Sequence, residues 1–377
     1  MYNSLAIENF RLFDKLTVEP LARVNLIAGD NNVGKTALLE AIWLHAGQNN
    51  PELAQRLSLW RGLPGSDTGE ILAELFRDYD TDTPISITAK NLGEINASSL
   101  TISRRHRTEV VSPVNLVGLQ TRRTQPDSFL NEELVFEYRD PLGKQVQARA
   151  WMETAQVPLN LPIAPNIQVE GNVAAVRVER EESGTDRANS VFLQSSGRIA
   201  SQELAARFGR AEVKGHIEDV REVLKLLDPR LRRLIAVPVS QGPALIYADI
   251  GAARIIPVAL MGSGFVRLLE LALAFVEVPK GSIIIDEIEN GLHYSKLEGV
   301  WRHVHQLAKI FDTQVFATTH SYECIAAAHS AFKASELIED FAYIRLQRNH
   351  RTQRIECVSY DDTEAFDYAM EYGREVR

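Results

Sequence analysis

The chain runs to 377 residues, 45% hydrophobic and 24% charged, the profile of a globular protein that is neither disordered nor fibrous. Its 50 acidic residues outnumber the 41 Lys and Arg, for a net charge of −9, which excludes a basic nucleic-acid coat over the whole surface but not a local basic stripe. Two cysteines, Cys324 and Cys357, cannot form a disulfide framework, no apolar run approaches transmembrane length, and the N-terminus lacks a basic-then-apolar leader, so a cytoplasmic location away from membranes is expected.

Residues 4 to 47 read as two strands, Ser4 to Phe10 and Arg23 to Ala28, then a Gly-rich loop and a helix over Lys35 to Ala46 that Gly47 stops. An amphipathic helix is expected around Glu70 to Phe76. From Pro84 to about Arg180 the period becomes two. Leu134, Phe136 and Tyr138 alternate, as do Val146, Ala148 and Ala150, with Asp140-Pro141-Leu142-Gly143 as the turn between them. Val173 to Glu179 is a further strand, and the stretch is expected to be mostly antiparallel.

Helices return from about Ser201, with Val220, Val223 and Leu224 on one stripe and a buried helix from Phe265 to Val276. Ser282 to Ile285 is apolar without alternation, as in a strand covered on both faces. An amphipathic helix carrying Leu297, Val300, Trp301 and Val304 follows, then a strand over Gln314 to Thr318. After Ser321 a helix, strands at Tyr343 to Gln347 and Arg354 to Val358, and a short final helix complete the chain.

Gly29-Asp30-Asn31-Asn32-Val33-Gly34-Lys35-Thr36 matches GxxxxGK[ST] between a strand and a helix, the setting a phosphate-binding loop requires. Glycines let backbone N–H groups turn toward phosphate oxygens, and the helix N-terminus adds partial positive charge. Lys35 supplies a cation for the β- and γ-phosphates and Thr36 a hydroxyl for Mg²⁺. Ile283-Ile284-Ile285-Asp286-Glu287 ends an apolar strand in two acids. Asp286 is placed to hold the Mg²⁺ shell and Glu287 to act as general base toward water. Lys35 and Asp286 lie 251 residues apart (286 − 35), so the intervening segments are expected to be insertions into one composite fold rather than separate domains.

With these residues in hand the chain resembles the ATP-binding-cassette (ABC) ATPase heads of the SMC, RecF and OLD type. Leu5-Ala6-Ile7-Glu8-Asn9-Phe10-Arg11 is similar to their opening strand, and Met261-Gly262-Ser263-Gly264-Phe265 to their signature loop. Glu287-Ile288-Glu289-Asn290-Gly291-Leu292-His293 resembles the run typical of stand-alone OLD-like AAA ATPases, and Thr318-Thr319-His320-Ser321 the switch loop. The resemblance implies an α/β P-loop NTPase fold: an ABC-ATPase head with a mixed sheet, an antiparallel β subdomain and a helical lobe. One composite domain over 1–377 is expected, with lobe I from 1–199 and 276–377 and lobe II over 200–275.

It implies ATP and Mg²⁺ as ligands and ATP hydrolysis as the activity. Gly29, Asn31, Asn32, Val33, Gly34, Lys35 and Thr36 would bind the phosphates. Thr36, Asp286 and Gln194, the last within a Q-loop-like Val191–Ser195 run, would serve the metal. Glu287 and His320 would be catalytic. Ser263 and Gly264 would cap the γ-phosphate of a second subunit, with Ser263 as a helix N-cap or Gly262 in the serine's place left open. Arg11 would touch phosphate or adenine, or be an ordinary surface Arg. An ATP-dependent homodimer or higher oligomer follows, serving a separate nuclease or toxin effector in an anti-phage or toxin–antitoxin-like module, because the 56 residues after Ser321 leave no room for the TOPRIM nuclease of many OLD-like chains. The alternatives are a RecF-like DNA-repair ATPase and a degenerate structural head, which intact Lys35, Thr36, Asp286 and Glu287 disfavour. Arg104-Arg105-His106-Arg107 and Arg122-Arg123 read as a solvated face or a DNA surface. His303, His305 and Glu298 have the wrong spacing for a metal, and Cys324 and Cys357 read as buried small hydrophobes.

Overall fold

The computed structural model describes residues 1–61, 73–106, 132–158, 170–181, 190–195, 199–239, 242–334, 338–360 and 367. Its centre is a six-stranded sheet that explains why Ile283, Ile284 and Ile285 are all apolar. In the order β16-β15-β3-β14-β13-β9 it joins β3 (Val24–Gly29), β9 (Ser190–Leu193), β13 (Ser282–Ile285), β14 (Gln314–Thr318), β15 (Phe341–Arg348) and β16 (Ile355–Tyr360). The pairs are parallel except β15 with β16, so the sheet is mixed, as expected. Ile283 and Ile285 face one core and Ile284 the other; Val315 and Ala317 likewise oppose Phe316. Alternate residues therefore enter different cores, and each buried Ile or Leu contributes about 1.5–3 kcal/mol of transfer energy.

One core holds α1 (Lys35–Ala46), clamped between this sheet and a seven-stranded antiparallel sheet. The latter has the order β2-β1-β4-β5-β6-β7-β8, from β1 (Tyr2–Phe10), β2 (Phe13–Val18), β4 (Ile85–Asn91), β5 (Ser98–His106), β6 (Glu132–Arg139), β7 (Gln145–Pro158) and β8 (Glu170–Arg180). Because α1 is covered on both sides, eleven of its twelve residues are buried and only Thr36 is exposed. Gln314 ties the two sheets together: its Nε2 donates to the Tyr2 and Ala22 carbonyls, and its Oε1 accepts from the Tyr2 N–H, each at 2.8 Å. A short helix, α2 (Glu52–Trp60), lies beside α1.

The other core is helical. It packs α3 (Ser201–Val213), α4 (Ile217–Leu224), α5 (Ser263–Glu277), α6 (Leu297–Ile310) and α7 (Tyr322–Ala334) on the opposite face of the six-stranded sheet. The helical lobe expected over 200–275 also carries strands that the sequence reading did not include. Between α4 and α5 stands a three-stranded antiparallel sheet of β10 (Arg233–Val239), β11 (Gly242–Asp249) and β12 (Ile256–Pro257). Its strands are largely half-exposed, so no clean period of two marks them in the sequence. Strand β2 was also not expected, although Phe13, Leu16 and Val18 are buried along it. The start of the Glu70–Phe76 helix and the short final helix fall outside the described residues, apart from Asp367. Phe76 itself is buried and bridges Phe10.

Candidate functional site

The phosphate loop grows out of the C-terminal edge of β3. Gly29 has φ +138°, and a Cβ there would sit 2.1 Å from the Leu346 carbonyl oxygen, so strand β15 leaves no room for a side chain. Gly34 has φ +94° and lies under the Phe13 ring, 2.8 Å from where a Cβ would be. The loop therefore requires both glycines by strain and by contact. Asn31, Asn32 and Gly34 line a cleft of about 720 Å³ with Lys35 and Thr36, while Val33 is buried beneath it.

Lys35 is 5% exposed, and its Nζ donates to the Gly29 and Asp30 carbonyls at 2.7 Å each. Burial lowers its pKa, while Asp30, Asp286 and Glu287 pull the other way. Its ammonium is held at the loop by neutral carbonyls, which compete weakly with a polyphosphate.

Strand β13 delivers Asp286 and Glu287 to the same edge. Thr36 Oγ1 donates to the Asp286 carboxylate at 3.3 Å, joining two residues 250 positions apart. Thr318, fully buried at the end of β14, donates through Oγ1 to Asp286 Oδ1 at 2.7 Å and accepts the Glu287 N–H at 2.9 Å. That second bond pins Glu287 in a left-handed conformation, φ +50°, which turns its carboxylate off the strand line. His320 Nε2 lies 3.8 Å from Glu287 Oε1, and the His320 N–H donates to Glu289 Oε1 at 3.0 Å. Gln194 lines the cleft one residue beyond β9, with Asp286 and His320. The hydroxyl of Thr36, the carboxylate of Asp286 and the amide of Gln194 form a hard oxygen set that fits Mg²⁺, which takes one or two carboxylates together with phosphate and water.

Arg267 was not foreseen. It is one of only two charged residues between Phe265 and Val276, the other being Glu270, and that isolation was the available signal. Its Nη1 donates to the Gln194 carbonyl at 2.8 Å and its Nη2 to the Asp286 carbonyl at 2.9 Å, so helix α5 grips both metal-side segments. Asn290 Nδ2 also donates to the Ser195 carbonyl, at 2.6 Å. At the other end of α5, Ser263 is exposed and Gly264 half-buried, and neither lines the cleft. They abut the loop after Glu287 instead: a Cβ on Gly264 would fall 2.5 Å from the Gly291 carbonyl oxygen. Ser263 makes no side-chain cap of its own helix, whose N-cap position is Gly262.

Arg11 is not the ordinary surface Arg considered for it. Its side chain is 9% exposed and forms an ion pair at 3.1 Å with Glu40, itself on the cleft wall, and a bond to the Glu74 carbonyl at 2.9 Å. Glu40 is shared: Arg61 reaches its other oxygen at 2.7 Å from the cleft wall, beside Trp60, which stacks on Trp43 at 4.8 Å. The described part of the basic run is neutralised, Arg104 by Glu132 and Arg105 by Glu137; Arg107, Arg122 and Arg123 lie outside the described residues. His303 and His305 bond the Gly299 carbonyl and Asp340, and no metal-binding cluster of His, Cys, Asp or Glu is found among the described residues. Cys324 is buried, its thiol pushed up to about 12 chiefly by desolvation. No helix among the described residues is long and apolar enough to cross a membrane.

The chain is similar to known proteins over most of its length. Residues 4–129 match the "AAA domain" family, and residues 159–326 match "AAA domain, putative AbiEii toxin, Type IV TA system". An ATP/GTP phosphatase of Helicobacter pylori is 23% identical over 96% of this chain and 93% of its own. The DNA replication and repair protein RecF of Idiomarina loihiensis is 46% identical over 41 residues, 11% of this chain and 12% of its own. Among solved structures, the Smc head domain from Pyrococcus furiosus, bound to the C-terminal domain of ScpA, superposes with a TM-score of 0.50 at 11% identity, covering 99% of each chain. Loop, acidic strand end, matched domains and architecture converge: the chain is a P-loop ATPase with the fold of an SMC-type head.

Proposed function

We propose that this ATPase is Mg²⁺-dependent, closes into a homodimer around ATP, and uses that closure as a switch on a separate effector protein. The observation that carries the reading is the position of Ser263 and Gly264. They sit at the N-terminus of a 15-residue helix, outside their own cleft and against Gly291. A helix start with small residues is an anion site, and one facing away from its own nucleotide suits a neighbour's γ-phosphate. In the cleft, Lys35 and the loop N–H groups would bind and orient the triphosphate. Thr36, Asp286 and Gln194 would hold the metal, which supplies charge neutralisation at the phosphates. Glu287 would accept the proton of the attacking water, with His320 beside it.

The matched toxin-system domain supports a place in a defence or toxin–antitoxin-like module of the OLD-like branch, in the cytoplasm, with a nuclease or toxin as effector. The RecF match favours a second reading, a DNA-repair ATPase, but the ion-paired Arg104 and Arg105 weaken it. The test is light scattering of Glu287→Gln with ATP and Mg²⁺. That variant keeps size and hydrogen bonding but cannot take a proton, so turnover should fall roughly 10²–10⁴-fold while an ATP-bound dimer accumulates. Adding Ser263→Arg should abolish the dimer and spare nucleotide binding by the monomer. A Glu287→Gln protein that stays monomeric at saturating ATP would reject the sandwich, and full residual turnover would reject Glu287 as the base. Co-purification with and without ATP then identifies the effector, and salt-dependent capture of DNA would favour the second reading.

A further inference from the structure

Strand order divides the cleft into two ends. Asp286 follows β13 and Gln194 follows β9, both on one side of the phosphate loop, whereas β15 flanks the loop on the other side and ends in Arg348. Adjacent strands are about 4.8 Å apart, so Arg348 and Asp286 straddle the loop by three intervals, about 14 Å. Both line the same cleft, and Leu12 lines it too. A triphosphate whose terminal end is fixed by Thr36 and Asp286 on the β13 side extends its nucleoside the other way, toward Leu12 and Arg348.

Arg348 is equipped to meet it. It is exposed, and its Nη1 is steadied by the Gln353 carbonyl at 3.1 Å across its own hairpin. It lines the cleft and makes no ion pair among the described residues, so its remaining donors are uncommitted there. We infer that Arg348 reads the edge of the purine base while Leu12 offers an apolar surface to its face, and that this makes the chain accept guanine nucleotides as well as ATP. The chemistry follows from the donors. A guanidinium fork donates and never accepts. Guanine offers two adjacent acceptors, O6 and N7, that satisfy the fork. Adenine offers N7 beside an amino donor, so it satisfies only one arm.

The inference rests on the cleft being the nucleotide site, and the experiment separates the two. kcat/KM is measured for ATP, GTP and ITP, the last keeping O6 and N7 without the 2-amino group, in the full chain and in Arg348→Ala, Arg348→Lys and Lys35→Ala. The wild type should turn over GTP and ITP within about tenfold of ATP, and Arg348→Ala should lose about tenfold more on GTP and ITP than on ATP, in line with one bidentate base contact. Arg348→Lys should behave like the alanine variant, because lysine keeps the charge and loses the planar fork. Equal losses on all three nucleotides, rescue by lysine, or a wild type that ignores GTP and ITP would each overturn the assignment. Lys35→Ala should lose all three nucleotides together; if it binds them normally, the nucleotide site itself has been misplaced.

Discussion

Thr318→Val removes one hydroxyl and adds one methyl at a fully buried position, and strand β14 tolerates the β-branched replacement. Two bonds disappear together. Asp286 loses a charge-assisted donor at 2.7 Å, worth about 1.5–3 kcal/mol, and the Glu287 N–H loses its acceptor at 2.9 Å, worth about 0.5–1.5 kcal/mol. The combined effect is about 2–4 kcal/mol, divided between fold stability and the set of the two acids. With about 1.4 kcal/mol to a decade of rate, half of it expressed at the transition state lowers turnover about five- to thirtyfold. ATP affinity should stay within about threefold, because Lys35 and the loop glycines are untouched. Thr318→Ser keeps the hydroxyl, gives up about 0.8 kcal/mol of methyl burial and should retain turnover. Steady-state ATPase kinetics, nucleotide titration and urea unfolding on the three proteins decide it. A folded Thr318→Val enzyme with normal turnover, or a serine variant as damaged as the valine one, would falsify the view that this hydroxyl positions both acids.

Lys35→Ala should weaken ATP binding by about 2–3 kcal/mol or more, read by calorimetry, since no other cation is buried in the loop; unchanged affinity would remove Lys35 from the site. His45, buried against Tyr2, Ser98 and Tyr138 at the C-terminal end of α1, has its pKa lowered to about 4, mainly by desolvation. It stays neutral in the fold but protonates near 6.5 when unfolded, so its contribution is complete above pH 6.5 and is lost as pH falls toward 4, by about 3 kcal/mol in total. Urea unfolding between pH 7 and 4.5 should show a slope that His45→Gln abolishes; identical slopes would rule out this histidine as the source.

Legibility in the sequence followed how far each signal depended on neighbours. Gly29 to Thr36 is a local motif that states its own chemistry, and Ile283 to Glu287 marks a strand buried on both faces wherever it occurs. Both were placed correctly, as were α5, α6 and the alternating strands β6 and β7. The strands β10 to β12 escaped because half-exposed strands need no strict alternation. The ion pair of Arg11 was not legible because it depends on Glu40, 29 residues away. Thr318 stood inside a motif read for its histidine, and only the fold reveals that its hydroxyl reaches two acids from a different strand.

Strand β3, which carries the phosphate loop, pairs on one side with β14 and on the other with β15, Val24 lying opposite both Val315 and Phe341. On the ribosome it emerges 291 residues (315 − 24) before its first sheet partner. At 5–20 residues per second that is roughly 15–60 s. The seven-stranded sheet, whose last strand ends at Arg180, can assemble in that interval. It can shelter one face of α1 while the other face and both edges of β3 wait. A nascent chain of this design carries an unpaired apolar strand for most of its synthesis, which makes the first half a natural client for a holding chaperone. It also means that a fragment ending before β14 would contain the whole GxxxxGK[ST] loop and yet lack the sheet that shapes it.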